Sequence, residues 1–138
     1  TQKWKDGVTT LHGLHIHGFP NAFMMSIAQS GLTLNFPHMI NEQAKHIAYI
    51  VNTALSRGID TLEVTEQAET EWVETVLERA GGRTGFSETC TPGYYNNEGK
   101  PGEGPGWFGG NYSGSAQDFF KVLRNWRDQG ELKGLELA

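Results

Sequence analysis

Histidine, cysteine and glycine supply the spacings in this chain that could do chemistry. Three imidazoles, His12, His15 and His17, fall within six positions of LHGLHIHGFPN, Leu11 to Asn21. In an extended chain His15 and His17 point to the same side, where a carboxylate or a further imidazole, such as His38 or His46, would complete a divalent-metal site. The HxH pair brings no fixed downstream ligand, and packing or hydrogen bonding accounts for the histidines more simply. A small metal-binding protein using His15 and His17 stays open as an alternative. Gly104, Gly106 and Gly109 in GPGWFG satisfy GxGxxG, but a dinucleotide fingerprint needs a strand before it and a helix opening at its end. Here a Pro/Gly loop precedes it, and Trp107 and Phe108 fill the turn. Cys90 has no base near it in sequence, so it reads as a partly buried thiol rather than a nucleophile. The same single cysteine excludes an internal disulfide and a CxxC zinc clip.

The elements that would position a site follow from periodicity. Val8 to His17 reads as extended, and Ala22 to Ile27 (AFMMSI) as a buried strand that ends in the polar loop AQSGLTLN. Ile40, Ala44, Ile47, Val51 and Ala54 repeat at steps of four and three, which predicts a helix with that stripe buried. Asn35 would cap it, Pro37 sits in its first turn, and Gly58 ends it. A strand, a polar loop and a helix N-terminus in succession bring free N–H groups and a helix dipole to Gln29–Asn35, a place for an anion or an electron-rich cofactor edge. An ordinary strand-to-helix crossover would look the same.

Thr65 would cap a second helix running through Ala80, with Ala68, Trp72, Val76 and Ala80 inside. Glu66, Glu69, Glu71, Glu74 and Glu78 would form a solvated face, the first two also suiting the helix start. Cys90 to Gly114 is dense in glycine and proline yet carries Tyr94, Tyr95, Trp107, Phe108 and Tyr112, so it reads as an irregular loop packed on a surface. Ser115 with Asp118 opens a last helix whose buried stripe is Phe119, Val122, Leu123 and Trp126 and whose end is Gly130. GLELA reads as a short final strand.

The totals narrow the class. At 138 residues the chain is one domain long and too short for two complete nucleotide-binding folds. A net charge of -5 offers no basic face for nucleic acid. No apolar run approaches the about 20 residues of a membrane helix, and no signal peptide is visible, so the expected setting is cytoplasmic.

Several strings together resemble one family. GFPNAF, Gly18 to Phe23, resembles the GFPNLF segment of Baeyer–Villiger monooxygenases and related flavin-containing monooxygenases. Lys3 to Gly7 (KWKDG), Ser30 in AQSGLTLN, Glu42-Gln43, the Val64–Ala68–Trp72 spacing, Gly99-Lys100-Pro101 and Phe108-Gly109-Gly110 are similar to that family's pattern in the same order. The resemblance covers nearly the whole chain but only the C-terminal part of such an enzyme. It implies an α/β fold class, the C-terminal part of a flavoprotein with two dinucleotide-binding domains, made of long helices and short strands and completing a Rossmann-type FAD domain. Residues 1–64 would supply the flavin-side strand, loop and helix, and 65–138 a helix, the glycine-rich loop and the terminal helix. It further implies cofactor contacts from Gln29, Ser30, Leu34, Asn35, Thr91 and Lys100 toward FAD and NADP. Leu32, Thr33, Leu34 and Tyr94 would line a substrate pocket. The complete enzyme would use NADPH and O2 to insert oxygen beside a ketone carbonyl, with no catalytic residue and no metal ligand in this segment. The isolated chain would be inactive, and its partners would be the missing FAD and NADP domains, a complementary chain or a second copy. The pattern departs at Ile27–Ser30, where relatives have a GPGS-like loop, at Asn35-Phe36, and near Thr91, where relatives carry a tryptophan. Those departures bear on substrate range. A non-catalytic binding module remains the rival reading.

Overall fold

The computed structural model describes residues 2–5, 7–80, 89, 91–93, 98–100 and 110–138. A 3-10 turn, Gln2–Trp4, leads into a long irregular stretch. There follow α1 (Phe36–Arg57), β1 (Leu62–Val64), α2 (Glu66–Ala80), α3 (Ala116–Gln129) and β2 (Leu135–Leu137). Cys90, Tyr94, Gly104, Gly106, Gly109, Trp107 and Phe108 lie outside the described residues.

The helix ends fall where their capping residues place them. Asn35 Oδ1 accepts from His38 N at 3.1 Å and Pro37 occupies the first turn, while Gly58, at φ 65°, closes α1 in the left-handed region. Thr65 Oγ1 accepts from Ala68 N at 3.1 Å to open α2. Ser115 Oγ accepts from Asp118 N at 3.1 Å to open α3, and Gly130 (φ 72°) ends it.

GLELA does hold a strand, over Leu135–Leu137. β2 pairs antiparallel with β1, Leu62 facing Leu137, Glu63 facing Glu136 and Val64 facing Leu135. Among the described residues this ribbon is the whole sheet, so the long helices and short strands appear as expected, but a Rossmann arrangement does not. The core joins Met39, Val64, Trp72, Val76, Tyr112, Phe119, Phe120 and Leu123. A second cluster, Ile50, Ala54, Leu62, Trp126 and Leu132, lies where α1 meets α3. Phe119, Leu123 and Trp126 bear out the expected α3 stripe, while Val122 is half-buried and Phe120 joins the core.

Three expectations change. Val8 to His17 is not extended: Leu11 and His15 exchange both backbone hydrogen bonds across a tight turn. His12 (φ 57°) and Gly13 (φ 72°) make that turn in the left-handed region, and His12 had carried no glycine-like signal of it. Ala22 to Ile27 forms no strand; Phe23 makes an isolated bridge with His15 and Met24 N donates to Leu14 O, and among the described residues no neighbouring strand extends the ladder. On α1 the buried residues are Met39, Glu42, Gln43, His46, Ile50 and Ala54, so apart from Ala54 the expected stripe is displaced outward by about one residue, or 100° of helix.

Tertiary partners explain that rotation. Gln43 Nε2 donates to Ser26 O at 2.8 Å and Arg127 donates to His46 Nδ1 at 3.3 Å, whereas Glu42 is matched within α1 itself, by Lys45 at 2.7 Å. Each inward side chain therefore has at least one partner, which lowers the cost of burying it, although Gln43 Oε1 and His46 Nε2 are buried without one among the described residues. The expected acidic face of α2 holds at Glu66, Glu71, Glu74 and Glu78, but Glu69 is buried and accepts from Lys3 Nζ (2.9 Å) and His17 N (3.0 Å).

Candidate functional site

The loop that joins the irregular stretch to α1 is held from four directions. Gln29 turns the chain with φ 55°. Its N–H donates to Gly110 O at 3.0 Å, its carbonyl accepts from Trp72 Nε1 at 3.0 Å, and its Oε1 accepts from Thr10 Oγ1 at 2.6 Å. Ser30 Oγ donates to Ser26 O at 2.8 Å, and Ser30 O accepts from Tyr112 N at 3.0 Å. Asn111 Nδ2 donates to Ile27 O at 2.7 Å. Gln29 and Ser30 are fully buried, with side chains that serve this internal network.

Two glycines make the close approach possible. A Cβ on Gly31 would lie 2.9 Å from Phe119 Cβ. One on Gly13 would lie 2.7 Å from Ala28 O and 2.9 Å from Ser30 Cβ, at a φ of +72° that side chains disfavour. Gly13→Ala is therefore expected to cost about 1–3 kcal/mol from the backbone conformation alone, with the overlap added. Thermal melting checks this; an unchanged midpoint would mean that the turn does not press on the loop.

Beyond Gly31 the chain comes to the surface. Leu32 is 45% exposed and Leu34 fully exposed, while Thr33 Oγ1 accepts from Asn35 N at 3.2 Å and Asn35 caps α1. The expected site residues thus separate into a buried support, Gln29 and Ser30, and an exposed edge, Leu32 to Asn35. Thr91 and Lys100 are exposed members of the short described pieces of the glycine-rich loop. A cavity of about 590 Å³ opens beside Trp72, lined by His12, Glu71, Trp126 and Lys133 among others, and none of Leu32, Thr33 and Leu34 lines it.

Trp72, Thr10, Gln43, Asn111 and Tyr112 all hold the loop and were not expected to. A signal existed for one of them: a tryptophan on a buried stripe must find an acceptor for its indole N–H. Trp72 also stacks on Tyr112 with centroids 5.6 Å apart and planes 2° from parallel, and the Arg79 guanidinium lies 4.8 Å from the Tyr112 ring.

The histidines go elsewhere. His17 Nδ1 meets Val64 O at 2.8 Å, and His15 packs edge-on against Phe23. His12 is wedged against Trp72 (4.8 Å) and His46 (5.7 Å), and His46 lies 4.9 Å from Trp126. Burial holds His12 near pKa 3, helped by the charge of His15; burial alone holds His15 near 4. His46 falls to about 2, through burial first and then through His12, His15 and Arg127. All three are neutral near pH 7. Among the described residues no three His, Cys, Asp or Glu side chains are grouped to hold a metal ion, so the His15 and His17 alternative has no ligand set there.

Comparison with known proteins relates the chain to flavin-dependent monooxygenases of the Baeyer–Villiger type. The chain is homologous to a stretch of about 23% of those enzymes, and that stretch takes in nearly all of it. It is 47% identical over 137 residues to pentalenolactone D synthase from Streptomyces arenae, covering 99% of this chain and 23% of that protein. A Baeyer–Villiger monooxygenase from Stachybotrys chlorohalonatus is 42% identical over 138 residues, covering 99% and 22%. Among solved structures, polycyclic ketone monooxygenase from Thermothelomyces thermophila superposes with a TM-score of 0.83 at 30% identity, over 95% of this chain and 21% of that one. The NADP+-bound cyclohexanone monooxygenase from Rhodococcus sp. Phi1 gives 0.78 at 25% identity, over 99% and 24%. No protein-family model matches the chain. The chain thus spans less than a quarter of the length of the relatives it matches. Among the described residues, no helix is long and apolar enough to cross a membrane.

Proposed function

We propose that this chain is the flavin-side segment of an FAD- and NADPH-dependent monooxygenase that inserts one oxygen atom beside a ketone carbonyl, giving an ester or lactone. The observation that carries the reading is the Gln29–Asn35 loop: rigid on its inner side, apolar and open at Leu32 and Leu34, and running straight into the N-terminus of α1. FAD, when bound, would supply the redox and oxygen chemistry.

The chain's own residues do the positioning. Gln29 and Ser30 hold the loop through Trp72, Thr10, Gly110 and Tyr112, and with the loop so placed they would lie beside the cofactor. Leu34 and Asn35 present the edge nearest the flavin. The positive end of the α1 dipole favours negative charge there, which suits a ring that gains electrons. Leu32, Thr33, Leu34 and Tyr94 would shape an apolar space for the ketone, and Thr91 and Lys100 would lie on the nicotinamide side. The single cysteine suits a cytoplasmic setting. Alone the chain should be inactive, because a Pro/Gly stretch rather than a strand pattern precedes its GPGWFG in the sequence, and the described residues hold no strand–GxGxxG–helix unit to seat a dinucleotide.

A chimera tests this: pentalenolactone D synthase with its matching stretch replaced by this chain. It should purify yellow, oxidise NADPH in a ketone-dependent way and convert a cyclic ketone such as cyclohexanone to its lactone. Leu34→Glu should lower that turnover at least tenfold while leaving the melting of the isolated chain unchanged, since Leu34 touches solvent throughout. A folded, FAD-loaded chimera that oxygenates no ketone would leave the non-catalytic binding module as the better reading.

A further inference from the structure

Directly ahead of the exposed edge, the chain makes a four-residue turn at Ile27–Ser30. Ser30 N donates to Ile27 O at 3.4 Å, a long bond for closing such a turn. Gln29 holds the third position at φ 55°, where a turn ordinarily takes glycine or asparagine because other side chains are strained there. Neither the closing bond nor the residue at the corner favours this shape, so it is imposed from outside the turn. Main-chain bonds impose part of it: Gln29 N donates to Gly110 O and Tyr112 N to Ser30 O, both at 3.0 Å. Between those two partners stands Asn111, whose Nδ2 donates to Ile27 O at 2.7 Å, far shorter than the turn's own closing bond to the same carbonyl. Three consecutive residues thus grip both arms of the turn, and the middle one does so with its side chain.

Asn111 differs in kind from the other side chains that reach the loop. It is half-buried and belongs to neither apolar cluster, and its carbonyl accepts from Ser113 Oγ at 3.4 Å. Trp72 is part of the core, and Thr10 is fully buried with an Oγ1 that also accepts from Gly13 N at 3.0 Å. Losing either of those disturbs the interior; losing the Asn111 amide frees the Ile27 carbonyl and little more.

We propose that Asn111 is a positioning residue: its amide fixes the Ile27–Ser30 turn and, through Gly31 seated against Phe119, the Leu32–Asn35 edge on which the ketone would rest. The hold on the turn is a property of this chain, whereas its effect on oxygenation rests on the function proposed above. A turn that opens at Ile27 tilts the edge, and a misplaced edge costs oxygen transfer rather than cofactor binding.

Asn111→Ala and Asn111→Asp both remove the donor, and aspartate keeps the shape of the side chain. In the isolated chain each should speed hydrogen exchange at Gln29, Ser30 and Tyr112 by about fivefold or more, leave the middle of α1 protected, and keep melting within the small range of surface substitutions. Unchanged exchange in both would overturn the proposal. So would Asn111→Asp exchanging like the parent, because shape rather than the donated bond would then hold the turn. A fall in melting as large as a core substitution gives would make the residue a purely structural one and overturn it too. In the chimera with pentalenolactone D synthase, each variant should load FAD as the parent does but yield about threefold less lactone per NADPH oxidised. Asn111→Gln, which keeps a donor, should recover part of that loss. Full lactone yield from both variants despite faster exchange would show the edge to be independent of the turn and end the positioning role. A parent chimera that loads FAD and oxygenates no ketone would sink the function instead, and exchange at Gln29 and Ser30 would still decide whether Asn111 holds the turn.

Discussion

Lowering the pH from 7 toward 4 is expected to unfold the chain, with a steepness set by three imidazoles. His12, His15 and His46 are buried and titrate near 3, 4 and 2 in the folded chain, against an ordinary 6.5. As the pH falls through 6.5 the unfolded chain takes up these protons and the folded chain does not. The stability the neutral rings contribute is therefore complete above pH 6.5 and is lost as the pH falls from there toward the folded values. Each site loses about 1.4 kcal/mol per pH unit in that window, so by pH 4 the three together rival the about 5–15 kcal/mol of a whole domain. A proton on His12 would also face His46 at 5.7 Å, and one on His46 would face the Arg127 guanidinium. Carboxylates act later. Lys45 holds the Glu42 carboxyl below its usual 4.5, so its share is lost only below that value. Denaturant unfolding at a series of pH values should give a slope near three protons between about pH 5.5 and 4.5. His46→Gln, whose amide oxygen can still accept from Arg127, should remove about one of them. A flat profile down to pH 4.5 would mean that water reaches the imidazoles and that the packing around them is wrong.

Trp72 should be the costliest single side chain to lose. It is 6% exposed, touches His12, Tyr112 and Phe119, and donates its indole N–H to Gln29 O. Trp72→Ala removes the ring and leaves a cavity between α2 and the loop, a change worth about 3–5 kcal/mol. Trp72→Phe separates the two roles of the side chain. It keeps most of the apolar surface but leaves the Gln29 carbonyl without its indole donor, at about 1–3 kcal/mol. Hydrogen exchange at Gln29 to Gly31 should accelerate in Trp72→Phe while the middle of α1 stays protected. Equal protection of the loop in the variant and the parent would show that the indole bond does not hold it. In the chimera the same variant should slow oxygenation more than it lowers the melting point, because a loop that moves misplaces Leu34 and Asn35.

How much of this was legible depends on whether a feature is local. The ends of α1 and α3 were, because Asn35, Gly58, Ser115 and Gly130 act within a few residues of themselves. β2 was legible as a strand, although its pairing with β1 joins residues more than 70 positions apart. The buried face of α1 was not: periodicity favours Ile40, Ala44, Ile47 and Val51, and it is the partners of Gln43 and His46 on other elements that turn the polar face inward. The periodicity was right that these residues share an apolar face, and the described residues leave that face outward. AFMMSI has the composition of a strand but, among the described residues, only the Leu11–His15 turn beside it, and a strand without an edge to pair with does not form. The Gln29–Asn35 loop was legible as a place. Its division into buried support and exposed edge was not, because Thr10, Trp72 and Gly110 reach it from distant parts of the chain.

The bonds that clamp Gln29 and Ser30 have a kinetic consequence. Gly110 and Tyr112 lie about 80 residues downstream of the residues they bind, and Trp72 lies 43 away from Gln29. Contacts so far apart in sequence require large loops to close before they stabilise anything, which makes them late events on a folding path. α1, whose own ladder is local, can form early. The loop at its head waits for the segment at 110–112 to arrive, so during synthesis the helix exists for a time without the edge it is meant to present. A refolding experiment would see helix content recover first and protection at Gln29 last.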